Sequence, residues 1–238
     1  MEKAKLAIAT MTLVRDQEEE ELLRESLELL AVHDIPVYIT DGGSPDNFLD
    51  FLKSFTSFHV APAPAKGLTA QVSNSIREAR KSGREFILYT EPDKKNFFRM
   101  LDEFLENAGS EDAIFIAARS ENGFNSYPAF QRRSETAINF CCAEITGADL
   151  DFTYGPFLIH RDIAPYLDLV TEDLGWGWRT YMFGIPTRLG KTIAEYRGEF
   201  LCPPEQGIDS AAERIYRIKQ LEQSVRGIIR STSIDLPE

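Results

Sequence analysis

Glu85-Phe-Ile-Leu-Tyr-Thr-Glu-Pro-Asp-Lys-Lys95 sets a compact apolar run, Phe86 to Tyr89, directly before two carboxylates that flank a proline. The run has the length and composition of a buried strand. Pro92 disfavours a helical conformation at Glu91, so the strand ends in an extended turn that carries Glu91 and Asp93 on one side of the chain. In an open α/β sheet, ligands bind in the crevice outside the carboxyl ends of the strands. Acids that emerge there are placed to address one cation or one ribose.

Outward from that stretch, strand and helix patterns alternate. Leu6–Thr10 is a short apolar strand. Asp16, with Glu19 three residues on, caps a helix whose glutamate-rich start suits the positive end of the helix dipole. Residues 35–40 read as a second strand, ending in Asp41-Gly-Gly-Ser-Pro-Asp46, and Pro45 opens the next helix. Residues 58–61 give a third strand. Lys66-Gly67 precede a helix bearing Leu68, Val72, Ile76 and Ala79, stopped by Gly83, and the opening strand follows as the fourth. A helix over 96–107 and a fifth strand over 113–118 complete this half. Such alternation predicts a mostly parallel sheet covered by helices on both faces.

The second half changes character. Residues 120–130 are rich in Asn, Ser, Gly and aromatics and read as a binding loop, with a helix over 132–147 after it. Residues 152–159 are strand-like and end at His160, and 162–170 form a short helix. The polar and aromatic stretch Glu172-Asp-Leu-Gly-Trp-Gly-Trp-Arg179 runs into a further helix. A strand over 191–196 and an amphipathic helix over 211–229 close the chain.

The totals bound the function. At 238 residues and 43% hydrophobic content the chain suits one α/β domain. A net charge of −12 argues against nucleic acid as a partner. Three cysteines, two of them adjacent, make neither a disulfide framework nor a zinc spacing and read as buried free thiols. No apolar run approaches the roughly 20 residues of a membrane span, and the start of the chain runs straight into a strand. The expectation is a soluble, cytoplasmic protein with no integral membrane segment.

The order of Asp41 with its glycines, Lys66-Gly67, Glu91-Pro-Asp93 and Glu172-Asp173 with Trp176 resembles inverting, nucleotide-sugar-dependent glycosyltransferases of the A-type fold, the family that includes polysaccharide synthases and dolichyl-phosphate mannose synthase. The resemblance spans roughly residues 6–197, judged from motif order. It implies a single-domain nucleotide-diphospho-sugar transferase-like fold, with a nucleotide-binding half over 1–119, an acceptor half over 120–200 and a helical tail over 201–238.

The resemblance also implies roles. Thr10, Asp41, Gly42, Lys66 and Glu91 would bind the nucleotide, a UDP- or GDP-linked sugar donor. Asp93 would hold Mn²⁺ or Mg²⁺, with His160 as a further ligand. Asp173, or alternatively Glu172, would be the base that deprotonates a hydroxyl acceptor, with Tyr127, Trp176 and Trp178 around that acceptor. Thr40 stands where the family often has an aspartate, and Glu91 replaces the first acid of its Asp-x-Asp motif. A retaining transferase of the same fold, or a sugar-nucleotide-binding protein without turnover, remain the alternatives. A homo-oligomer is left open.

Overall fold

In a computed structural model, which describes residues 1–237 apart from the side chain of Glu205, the chain forms two compact units. Unit 1 comprises Met1–Asn107 and Pro156–Pro165. Unit 2 comprises Ala108–Gly155 and the chain from Tyr166 onward. The α/β class and the mixed, mostly parallel strand pairing are as expected.

Unit 1 holds β1 (Leu6–Thr12), α1 (Gln17–Ala31), β2 (Val37–Asp41), α2 (Asp46–Lys53), β3 (Phe58–Pro62), α3 (Leu68–Lys81), β4 (Phe86–Tyr89), α4 (Lys95–Arg99) and α5 (Leu101–Asn107). Its strands lie in the order β3-β2-β1-β4, all parallel. From β1 the chain builds outward through β2 and β3, then crosses to β4 on the other side of β1. The order therefore reverses between β1 and β4, and the crevice at their carboxyl ends is the topological switch point of the sheet.

Local chemistry sets these elements. The Asp16 carboxylate accepts the Glu19 N–H at 2.9 Å, and Glu19 returns a carboxylate oxygen to the Arg15 N–H at 2.9 Å, closing the start of α1. Pro45 occupies the N-cap of α2 and Gly67 that of α3, where its φ of 111° is open to glycine alone without strain. α3 packs on β1 and β2, and its Asn74 amide donates to the Thr40 hydroxyl at 3.1 Å. The helix expected over 96–107 is broken into α4 and α5 at Met100, whose φ of −106° and ψ of 9° leave the helical region. The core is aliphatic and aromatic, with Leu6 to Ala9 and Phe86 to Tyr89 sealed from solvent.

The last strand of unit 1, β6 (Phe157–His160), runs antiparallel to β4, pairing Phe86 with His160 and Tyr89 with Phe157. It is shorter than the strand expected over 152–159, because residues 152–154 turn and only the FLIH segment reaches the ladder.

Unit 2 holds β5 (Ile114–Arg119), α6 (Glu121–Asn125), α7 (Ala129–Thr146), α8 (Gly177–Arg188), β7 (Ile193–Gly198) and α9 (Ala211–Ser233). β5 and β7 are parallel, in register from Ile114 with Ile193 to Arg119 with Gly198. The stretch expected as an open loop carries α6, capped by the Ser120 hydroxyl, which accepts the Gly123 N–H at 2.9 Å.

α9 lies on α8 and α7 through small residues. Ser224, Gly227 and Ser231 face Gly177, Thr180 and Gly184, and the Thr180 hydroxyl donates to the Ser224 carbonyl at 2.8 Å. A methyl group at Gly227 would overlap the Gly177 carbonyl oxygen. The helices are in backbone contact at that point.

Of the three cysteines only Cys142 is buried, and burial pushes its thiol up to about 12. Cys141 is exposed, since consecutive helical residues project about 100° apart.

Candidate functional site

The parallel strands of unit 1 end on one edge, so the segments after Thr12, Asp41, Pro62 and Tyr89 emerge side by side. β1 is longer than the strand read from sequence, because Thr12 pairs with Asp41 across the ladder. That pairing decides what Asp41 does.

Asp41 is 4% exposed. Its Oδ1 accepts the N–H groups of Gly43 and Ser44, both at 2.8 Å. Its Oδ2 accepts the Thr12 hydroxyl at 2.8 Å and the Ser44 hydroxyl at 2.6 Å. A carboxylate has about four acceptor positions, and all four are engaged within the turn. The Ser44 oxygen also accepts the Val14 N–H at 2.9 Å, so the loops after β1 and β2 are tied together. Asp41 therefore shapes this edge, and the expectation that its carboxylate itself grips a nucleoside finds its oxygens already committed.

Gly42 and Gly43 are exposed above that turn. Gly42 packs against the Gln71 amide of α3, which a β-carbon would crowd at 3.0 Å. Thr10 is sealed in the middle of β1, and its hydroxyl is buried without a hydrogen-bond partner. Lys66 is exposed immediately before the N-terminus of α3, where no side chain caps the helix. The free N–H groups and positive dipole end of such a terminus favour an anion.

At the end of β4, the Thr90 N–H continues the ladder to the Ala9 carbonyl at 3.2 Å. Glu91 is buried and Asp93 half-buried. The N-cap position of α4 is Lys94, whose own side chain makes no cap bond. The acids thus stand at the switch point between β1 and β4.

His160 is not brought to Asp93. β6 is antiparallel, so its C-terminal residue lies opposite Phe86 at the start of β4, about 10 Å along the strand from Tyr89 at roughly 3.3 Å per residue. Its ring meets Phe86 edge-on at 5.2 Å, and its Nδ1 lies 3.5 Å from Asp162. Among the described residues no three His, Cys, Asp or Glu side chains gather as a metal cage. A donor set of one or two carboxylates nevertheless fits Mg²⁺ or Mn²⁺, which take most of their remaining ligands from water and phosphate oxygens.

In unit 2, Glu172 forms an ion pair with Arg230 of α9 at 3.2 Å. Asp173 is exposed, and its Oδ1 accepts the Gly175 N–H at 3.0 Å. Trp176 is half-buried. Its indole N–H donates to the Tyr216 hydroxyl at 2.8 Å, and the Arg179 guanidinium lies 5.0 Å above its ring. Trp178 is fully buried on α8, so the expected acceptor contact is corrected to a core role.

Tyr127 is corrected likewise. It is buried, with Arg119 held 4.7 Å over its ring, and burial raises its hydroxyl pKa well above the usual range. Arg119 is itself sealed. Its Nε and Nη2 meet both oxygens of Asp151 at 2.7 and 2.9 Å, and Nη1 meets Glu135 at 2.8 Å. Burial opposes the Asp151 charge, yet the Arg119 guanidinium overrides it and holds that carboxyl well below the usual range. The buried acids of this cluster, Glu135 and Asp151, together with Thr12 in unit 1, were missed in the sequence. The period-two repeat of Thr10 and Thr12 was the one available signal for Thr12.

A scan against protein-family models finds no match, and a search of curated proteins finds none either. Solved structures do match. Glucosyl-3-phosphoglycerate synthase from Mycobacterium tuberculosis, in complex with Mn²⁺, UDP and phosphoglyceric acid, superposes with a TM-score of 0.68 at 13% identity, over 97% of this chain and 79% of that one. The chain has the A-type glycosyltransferase fold. The same enzyme with Mn²⁺, UDP-glucose and phosphoglyceric acid matches with a TM-score of 0.67 at 12% identity, over 97% and 80% of the two chains. Its complex with Mg²⁺ and UDP gives 0.64 at 13% identity, over 97% and 80%.

Proposed function

We propose that the chain is a metal-dependent glycosyltransferase that moves a hexose from a UDP-linked donor to a hydroxyl acceptor. The observation that carries this reading is the placement of Glu91 and Asp93 at the β1/β4 switch point, on the same strand edge as the Asp41 turn and the uncapped start of α3. Similarity to an enzyme crystallised with Mn²⁺ and UDP-glucose supports the donor class.

In this reading the turn that Asp41 closes, with Gly42 exposed on it, receives the nucleoside. Lys66 and the N-terminus of α3 favour the diphosphate. Glu91 faces the ribose and Asp93 holds the divalent ion. Such an ion neutralises charge on the diphosphate as the nucleotide departs. Asp173 takes the proton from the acceptor hydroxyl as it attacks the anomeric carbon, with inversion. Glu172, engaged by Arg230, is the weaker candidate.

Calorimetry with UDP and GDP, each with and without Mn²⁺, tests the reading. Metal-dependent binding of UDP is expected; binding of neither nucleotide would refute it. Hydrolysis of UDP-glucose in the presence of Mn²⁺ then separates an enzyme from a binding protein, and NMR of the product anomer decides between inversion and retention.

A further inference from the structure

α9 presents two faces, and the apolar one points outward. Ser224, Gly227, Ile228 and Ser231 are its buried residues. Ile215, Ile218 and Ile229, on the opposite side at about 100° per residue, are 56%, 54% and 60% exposed, and Val225 lies between them at 36%. A helix that supports its own unit normally buries its bulky apolar stripe. Here Ser224, Gly227 and Ser231 make the closest internal contacts, and of the isoleucines only Ile228 is turned inward while Ile215, Ile218 and Ile229 are left in water. An exposed apolar stripe along one helix face marks an interaction site.

We propose that this face pairs two copies of the chain through their α9 helices in antiparallel orientation. The stripe at 215, 218, 222, 225 and 229 has alternating spacings of three and four, the heptad pattern of a two-helix seam. Ile215 and Ile229 lie at equal distance on either side of Glu222, so a two-fold axis at Glu222 sets Ile215 over the partner's Ile229 and Ile218 beside the partner's Val225. A closed two-fold contact needs this self-complementarity. The charges comply. Glu222, alone among acids on the stripe, forms an ion pair with Arg226 at 2.7 Å; the axis brings the two Glu222 carboxylates together, and their repulsion is offset because each also gains the second copy's arginine as a partner. The stripe runs over 15 residues, about 21 Å of helix from first to last. A two-helix seam of this length falls at or below the low end of specific interfaces, about 1,200 Å² in total, so association is expected in the micromolar range.

Sedimentation velocity of the full chain from about 1 to 200 μM is the test, with its mass of 26.9 kDa as the monomer reference. A concentration-dependent dimer is expected. Ile218→Glu should weaken it at least tenfold with unchanged circular dichroism, since the residue is exposed and its loss leaves the fold intact. Arg226→Glu should weaken it as well, and the double swap Glu222→Arg with Arg226→Glu should restore it, a rescue that only self-pairing through this seam gives. A monomer throughout the range, a dimer indifferent to Ile218→Glu, or sedimentation with anionic vesicles in place of self-association would each overturn the proposal.

Discussion

The Thr12 hydroxyl donates to the Asp41 carboxylate at 2.8 Å, joining the ends of two adjacent parallel strands at the edge where the proposed donor site lies. Replacing Asp41 by alanine removes four accepted hydrogen bonds and leaves two backbone N–H groups of the turn without their acceptor. The expected loss is about 3 kcal/mol of stability, read by urea unfolding. Thr12→Val removes one donor and should cost about 1 kcal/mol. If Asp41 acts by shaping the turn, Thr12→Val also weakens UDP binding, by an amount that calorimetry resolves.

Asp93 and His160 should separate cleanly. Asp93→Asn is expected to reduce Mn²⁺-dependent UDP affinity by about tenfold or more, while metal-free binding changes little. His160→Ala should leave both unchanged, because β6 runs antiparallel and carries His160 to the far end of β4. Equal losses in the two variants would restore the histidine to the metal site.

Asp173→Asn is expected to abolish transfer while the UDP dissociation constant stays within about twofold of the native value. Glu172→Gln should retain activity and instead lose the ion pair with Arg230, an exposed contact whose removal costs well under about 1 kcal/mol. Parallel loss of binding and turnover at Asp173 would remove it as the base.

The Arg119–Asp151 pair gives unit 2 an acid dependence of known sign. The folded pKa of Asp151 lies below its unfolded value. Between the two the unfolded chain binds the proton and the folded chain does not, so the stabilisation is complete above the usual carboxylate range and is lost as pH falls through the depressed value. Asp151→Asn leaves Arg119 with Glu135 alone and should cost about 3 kcal/mol at pH 7. The same variant should show a flatter decline toward pH 3 in urea unfolding than the native chain.

Gly227→Ala tests the helix crossing. In an exposed helix the change would gain about 1 kcal/mol. Here the added methyl meets the Gly177 backbone, which has no flexible end to move aside. Overpacking costs about 1 to 3 kcal/mol or more, so a net loss is expected, with a lowered midpoint in thermal unfolding.

The strand alternation, the cap at Asp16, the helix start after Gly67 and the acidic end of β4 were all legible in the sequence, because each rests on contacts within a few residues. What failed rests on lateral partners. Asp41 followed by two glycines looks the same in one dimension whether its oxygens face a ligand or the Thr12 hydroxyl. His160 was placed at the metal by the resemblance alone, yet it ends an antiparallel strand, which finishes at the opposite edge. Trp178 reads like Trp176 until the helix phase of α8 turns it inward. The periodicity of α9 was plain, but periodicity does not say which stripe is inside. That was decided by Gly177 and Gly184, far away in sequence, which admit only small residues opposite them.

The route of the chain has one consequence for how the protein is made. The strand that flanks β4 on the side away from β1 is encoded within Pro156–Pro165, after the first stretch of unit 2 has already been translated. A ribosome that has released Met1–Asn107 has released β1 to β4 with one flank of β4 still bare. Partial folding is open to that nascent segment, but its sheet closes only when the later ten residues arrive. A stall or truncation between Asn107 and Pro156 would leave that flank exposed, and so exposed to pairing with other nascent chains.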